Sequence, residues 1–129
     1  MAKNKTISPG DLGAEIAAIL SDYTREVQEA ITADVVEVAK DTKNELKNTS
    51  PKLTGSYSKG WTTEKVVQTE SRIVYRIKNK TDWQLTHLLE YGHAKPGGGM
   101  TRAIPHIDPA DRKAREKLLR KIKESIQKA

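Results

Sequence analysis

The longest stretch of the chain without a glycine or a proline runs from Ala14 to Ser50, between Pro9-Gly10 and Gly13 on one side and Pro51 on the other. Nothing else in the sequence constrains the fold as strongly. Apolar residues recur through it at helical spacing: Leu12, Ile16, Ile19, Leu20, Tyr23, Val27, Ala30, Ile31, Val35, Val38 and Leu46. Ser8 is placed to cap such a helix, Pro9 suits its first position, and Asp11 sits near the positive end of its dipole. Asn48-Thr49-Ser50-Pro51 stops it. The pattern therefore predicts one long helix ending at about Asn48. Some 38 residues at a rise of about 1.5 Å give roughly 57 Å. A domain of this length has a radius of gyration of only about 14 Å. Such a helix must break or overhang, and the β-branched run Ile31-Thr32-Ala33-Asp34-Val35-Val36 is the expected weak point. An overhanging apolar stripe needs a partner chain, which is the first sign of an oligomer.

Strands follow. Tyr57 to Val67 is rich in Thr, Val and aromatics, and Arg72 to Lys78 alternates with Ile73, Tyr75 and Ile77 on one face. The polar segment Gln68-Thr69-Glu70-Ser71 joins the two as an antiparallel hairpin. A short helix comes next, with Thr81 and Gln84 in capping-box positions, Leu85, Leu88 and Leu89 as its stripe, and Gly92 as its left-handed stop. Residues 93–107 read as a flexible loop holding Gly97, Gly98 and Gly99. A last helix opens at Asp108-Pro109 with the stripe Ala110, Ala114, Leu118, Ile122 and Ile126. The order predicts an α+β fold: a long N-terminal helix, an antiparallel hairpin or small sheet, a short helix, a Gly-rich loop and a C-terminal helix packed on the sheet. At 129 residues this is one domain, 1–129, with residues 1–8 as a flexible N-terminus.

Composition removes several chemistries. With no cysteine there is no disulfide, zinc–thiolate site, iron–sulfur cluster or thiol nucleophile. No 18-residue apolar run is present, so no membrane contact is expected. The opening Met1-Ala2-Lys3-Asn4-Lys5-Thr6 lacks the apolar stretch of a signal peptide and points to synthesis in the cytoplasm. The net charge of +6 is uneven: residues 1–50 carry 6 basic and 9 acidic side chains, and residues 51–129 carry 17 and 8. This asymmetry fits a basic surface for nucleic acid, or complementary faces in a self-assembling ring, where an acidic helix of one subunit meets the basic half of the next.

No catalytic constellation emerges. His87, His93 and His106 lack metal-ligand spacing, and His93 and His106 read as capping or packing residues. Gly97-Gly98-Gly99 is followed by Met100-Thr101-Arg102 and not by Lys-Ser/Thr, so it is no phosphate cradle. A Glu90–His93 acid–base pair is interrupted by Gly92. The basic final helix has no aromatic residue and no base-reading signature, which leaves loose phosphate contact only.

Three remaining segments carry a resemblance. Ser50 to Trp61, containing Pro51, Thr54, Gly55, Tyr57 and Trp61, is similar to a Pro-x-x-Thr-Gly-x-Tyr lead-in to a sheet. Leu88-Leu89-Glu90-Tyr91-Gly92-His93-Ala94-Lys95 is similar to a hydrophobic-Glu-aromatic-Gly segment, and Pro105-His106-Ile107-Asp108-Pro109-Ala110 to the start of a last helix. In this order, with a Gly-rich loop between the second and third, they resemble the tailed-bacteriophage head–tail joining or tail-completion family, named after gene product ten of phage HK-ninety-seven. The resemblance spans roughly residues 10–127.

The resemblance implies a structural virion protein of the neck or tail of a long-tailed phage or prophage, without catalysis or cofactor. It implies a homo-oligomeric ring, taken as a hexamer, with other neck and tail proteins as partners and phage DNA passing through the channel without sequence-specific binding. The protein would be made in the bacterial cytoplasm and reside in the virion. Its motif residues would serve fold and assembly: Pro51, Thr54, Gly55, Tyr57, Trp61, Glu90, Tyr91, Gly92, His93, Pro105, His106 and Pro109. Tyr57 and Trp61 are expected on one strand face covering the long helix. Lys95, Gly97, Gly98, Gly99 and Arg102 mark a loop expected to order against a neighbour. The competing readings are a small basic nucleic-acid-binding protein and a nuclease-like enzyme using one of the three histidines.

Overall fold

The computed structural model describes residues 13–52 and 55–129. Its elements in chain order are β1 (Gly13–Ile19), α1 (Arg25–Thr49), the single turn α2 (Ser56–Lys59), β2 (Trp61–Gln68), β3 (Arg72–Asn79), α3 (Trp83–Tyr91) and α4 (Ile107–Lys128). The three strands form one antiparallel sheet in the order β1-β3-β2. The α+β class expected from the sequence is the fold observed, with the long helix beginning later than its apolar spacing suggests.

That boundary is a correction with a physical cause. Residues 14–20 satisfy helical spacing, but they also alternate. Ala14, Ile16 and Leu20 are buried and Ala18 packs against the core, whereas Glu15, Ala17 and Ile19 are exposed. Pairing with β3 selects the strand, from Gly13 opposite Lys78 to Ile19 opposite Arg72. Gly13 lies so close to β3 that a Cβ there would stand 1.9 Å from the Ile77 carbonyl oxygen. The chain turns after Leu20, and the Gln28 side-chain amide donates to the Leu20 carbonyl at 2.8 Å and the Tyr23 carbonyl at 3.1 Å.

Thr24 then caps α1, its hydroxyl accepting from the Val27 N–H at 3.3 Å. The cap expected from Ser8 and Asp11 lies outside the described residues. The helix runs unbroken through 31–36, where a weak point was expected, because Ile31 and Val35 are wholly buried there. Its 25 residues span about 37 Å, so it fits the domain and no long overhang remains.

The lead-in to the sheet also differs from expectation. Tyr57 sits on the helical turn α2 and not on a strand, and β2 starts only at Trp61. Gly55, at φ 97°, precedes α2 in the left-handed region that favours glycine. The β2–β3 hairpin closes as expected, the Thr69 hydroxyl accepting from the N–H groups of Ser71 and Arg72 at 3.2 Å each. In β3, Ile73 and Ile77 are buried with Tyr75 against the core. Glu15–Arg76 at 3.3 Å and Lys78–Glu64 at 3.2 Å lie on the opposite face, where Val74 of β3 is buried among them.

The capping box at the start of α3 does not form. Asn79 takes that part: its side-chain oxygen accepts the Asp82 N–H at 2.8 Å, while the Thr81 hydroxyl donates to the Ser56 carbonyl at 3.1 Å. Of the expected leucine stripe, Leu85 and Leu89 pack against the core. The buried residues of α3 are Thr86 and Glu90, and Leu88 is exposed.

Helices α1 and α4 cover the inner face of the sheet and run antiparallel. Ile107, Ala110, Ala114 and Leu118 of α4 join Ile31, Val35, Val38 and Leu46 of α1 in the core. Along their seam an exposed ladder steps in opposite directions on the two helices: Lys113–Glu45 at 2.8 Å, Lys117–Asp41 at 3.2 Å, Lys121–Glu37 at 3.1 Å, and the Ser125 hydroxyl donating to Asp34 at 2.6 Å. Glu37, by accepting from Lys121, holds that ammonium above the usual lysine range. The acidic helix expected to meet a neighbour's basic half thus meets the basic helix of its own chain.

Candidate functional site

The three motif segments converge at one place, the N-terminal end of α4. Side chains at Glu90, His106, Tyr57 and Trp61 come together there although they are separated in sequence by up to 49 residues. Glu90 ends the polar face of α3 and points at the first turn of α4. Its Oε1 accepts from the N–H of His106 and of Ile107, both at 2.9 Å, and its Oε2 from the N–H of Asp108 at 3.0 Å. The first N–H groups of a helix have no partner within it, and an anion there is favoured by the dipole. Glu90 therefore supplies from another helix what a local capping side chain would supply; His106, the residue at the cap position, makes no such bond with its own side chain.

His106 extends the network. Its Nδ1 lies 2.8 Å from the Ile104 carbonyl, which can only accept, so the proton sits on Nδ1. The same nitrogen lies 3.1 Å from Glu90 Oε1. In the neutral ring Nε2 is then an acceptor, and it takes the Tyr57 O–H at 2.6 Å. Burial pushes the Tyr57 phenol up to about 12; the neighbouring Thr86 hydroxyl offsets part of this, and the Glu90 charge adds to it. The Thr86 hydroxyl, wholly buried, makes no well-formed hydrogen bond of its own.

The rings pack edge to face: Tyr57 and Trp61 centroids are 5.6 Å apart, Tyr57 and His106 5.6 Å, Trp61 and His106 6.2 Å. Trp61 Nε1–H donates to the Ser50 hydroxyl at 2.8 Å, and Ser50 donates to the Leu46 carbonyl at 2.5 Å. The Asn79 amide donates to the Tyr57 carbonyl at 2.7 Å. One polar cluster thus ties together α1, α2, β2, β3, α3 and α4.

A carboxylate, an imidazole and a phenol in series have the residue types of a proton relay. Here all three are buried, with 4%, 3% and 1% of their surface exposed. The carboxylate is filled by backbone N–H donors and the imidazole nitrogens both face protein partners. The arrangement is a clasp around a helix end.

The other expected site residues stand apart from the clasp. Gly92 ends α3 at φ 79°, where a Cβ would lie 2.7 Å from the Thr101 carbonyl oxygen. Pro105 precedes the clasp histidine and Pro109 lies in the first turn of α4, while Pro51 follows the buried Ser50. Thr54 lies outside the described residues. Tyr91 is 60% exposed. His93 pairs with Thr101 and not with Glu90: its N–H donates to the Thr101 hydroxyl at 2.8 Å, and its Nδ1 lies 3.2 Å from that oxygen. Residues 93–101 fold back on themselves, with Lys95 N–H to Gly99 carbonyl at 2.9 Å, Gly98 N–H to Lys95 carbonyl at 3.0 Å and Thr101 N–H to His93 carbonyl at 2.7 Å. Lys95, Gly97, Gly98, Gly99 and Arg102 are all exposed on or beside this small hairpin.

Sequence reasoning missed Ser50, Asn79 and Thr86. Two carried a signal. Asn79 continues the inward alternation of Ile73, Tyr75 and Ile77, and Ser50 continues the buried helical spacing of Thr42 and Leu46. A polar residue on a buried register has to find a partner.

Among the described residues no helix is long and apolar enough to cross a membrane, and no group of three His, Asp or Glu side chains is placed to hold a metal ion. Searches of curated proteins and of solved structures give no match. A scan of protein-family models matches residues 14–92 to the family described as "Bacteriophage HK97-gp10, putative tail-component". The match runs from β1 through the Glu90–Gly92 segment, more than half of the chain, and stops before α4. The motifs around Tyr57 and Glu90 lie inside it, and the chain belongs to the HK97-gp10-like family of bacteriophage tail components.

Proposed function

We propose that the protein is a structural virion component at the head–tail junction of a long-tailed phage or prophage, completing the tail or neck as a homo-oligomeric ring around the DNA channel. The observation that carries this reading is the family match over residues 14–92. The clasp agrees with it, since Glu90, His106 and Tyr57 are buried and spend their polar atoms on holding the fold. In this reading the ring is a hexamer, DNA passes through without base readout, and the hairpin at 93–101 contacts a neighbouring subunit. Nucleic-acid binding as the main role is disfavoured by the fate of the basic charges on α4. Lys113, Lys117 and Lys121 face acids of α1, and Arg112 and Arg115 pair with Asp108 and Asp111.

The test is deletion of the gene from its phage or prophage, followed by induction and electron microscopy of the lysate. Full heads beside unattached tails, or tails of abnormal length, are the expected outcome, and tail length separates completion from termination. Normal infectious particles overturn the proposal.

A further inference from the structure

The clasp contains a hydroxyl that its neutral form does not use. Thr86 Oγ1 on α3 is wholly buried and has no hydrogen-bond partner, the only buried side-chain polar atom in that condition among the described residues. It lies beside the Tyr57 hydroxyl. A buried hydroxyl left unpaired carries a desolvation cost, and valine fills the same space without it. Such a group calls for a state of the molecule in which it is paired.

Among the described residues, His106 is the only basic side chain within ion-pair distance of buried Glu90, at 3.1 Å. The groups around His106 come from every element of the cluster. Helix α3 brings the Glu90 carboxylate and α2 the Tyr57 phenol. From α1, β2 and β3 come Ser50, Trp61 and Asn79, none of which titrates. On the histidine's own helix, Asp108 turns its exposed carboxylate to Arg112 at 2.9 Å. The Nδ1–H of His106 already faces the Ile104 carbonyl and Glu90. Nε2 is therefore the one ring site left for a second proton, and the Tyr57 O–H points into it at 2.6 Å.

We propose that His106 takes up a second proton while the clasp stays closed, and that Tyr57 makes room for it by turning its O–H from His106 to Thr86. The exchange balances. A proton from water bonds to Nε2, and the new Nε2–H donates to the Tyr57 oxygen across the same contact. The phenol, still neutral, donates its own hydrogen to Thr86 Oγ1. Phenol and hydroxyl can each donate and accept, so the chain of bonds reverses its direction. The imidazolium then faces the Glu90 carboxylate, and their contact becomes a charge-assisted bond in the interior. Nothing that was paired is orphaned, and the one orphan gains a partner. The start of α4 is thereby held on both sides of the pH range in which histidine changes charge. This proton-adaptive anchor does not depend on the virion reading.

Nitrogen NMR of the full-length protein between about pH 8 and pH 5 reads the His106 ring directly, with the exposed His87 and His93 as references. The expected result is a change from a ring protonated on Nδ1 alone to one protonated on both nitrogens, with the amides of His106, Ile107 and Asp108 still protected from exchange. Thr86→Val is the discriminating variant. At the alkaline end its urea midpoint is expected to match or exceed that of wild type, because an orphan has been removed. At the acid end it is expected to be less stable than wild type, by about tenfold in the unfolding equilibrium, because the turned phenol has lost its acceptor. Tyr57→Phe orphans the Nε2–H instead, and is expected to fall further behind wild type as pH drops over the same range. A His106 ring that stays singly protonated until the fold is lost overturns the proposal. So does protonation that exposes those amides, or a Thr86→Val difference that is the same at both ends of the range.

Discussion

Polar groups hold helix α4 at two regions besides its packed core stripe, and the two contrast. At its first turn a single buried carboxylate, Glu90, accepts three backbone N–H groups at 2.9–3.0 Å. Along its length three lysines pair with three acids of α1 at 2.8–3.2 Å, all at the surface. The distances are alike, but the surroundings are not. In water an ion pair of this kind contributes about 0–1 kcal/mol and is screened by salt. In the interior, removing one partner leaves the other unsatisfied, at about 1–3 kcal/mol for each orphaned group. The clasp therefore fixes where α4 begins, and the ladder only sets which acids its lysines lie beside.

The largest effect should come from breaking the clasp. Glu90→Ala orphans three N–H groups and is expected to destabilise the fold by about 3–5 kcal/mol, read as a lowered urea midpoint. A loss below about 1 kcal/mol, within the surface ion-pair range, would remove the contrast.

Tyr57→Phe sharpens the comparison through pH. The phenol is pushed up to about 12 by burial, above its ordinary value of 10.0. A raised folded value means that its stabilising effect is complete below pH 10 and is lost as pH rises toward about 12. The variant should cost about 1–2 kcal/mol at neutral pH through the lost bond to His106, and it should show a shallower fall in stability above pH 10. Identical alkaline slopes in denaturant titrations of the two proteins would count against a buried, neutral Tyr57.

Lys117→Ala should give the smallest change, about 0.5 kcal/mol or less, and one that shrinks in ~1 M salt. Thermal unfolding at low and high salt measures both. A larger, salt-independent loss would put the ladder in the same class as the clasp.

Much of this was legible in the sequence, and what was not has identifiable causes. The α1 end near Thr49, the alternation of Ile73, Tyr75 and Ile77, and the α4 stripe from Ala110 to Leu118 follow from local periodicity. Residues 14–20 fit both periods, and the deciding term, pairing with a strand more than fifty residues away, is not local. The members of the clasp were marked as motif residues, but not their pairing: Glu90 and His93 are neighbours in sequence, yet the carboxylate turns to His106. The ladder left a clearer trace. Glu37, Asp41 and Glu45 repeat every four residues, as do Lys113, Lys117 and Lys121, and two matched stripes in one chain can face each other before they face a neighbour.

The strand order carries a consequence for how the molecule assembles in time. β2 and β3 are joined by a short turn and can zip within microseconds, whereas β1 must find β3 across a loop of about fifty residues that includes all of α1. The hairpin is thus a template and β1 the late arrival, so the edge of β3 beside Ile73 and Ile77 stands bare until β1 arrives. During that interval any other extended segment, including β1 of a second nascent chain, competes for the same edge, and the refolding yield should fall as protein concentration rises.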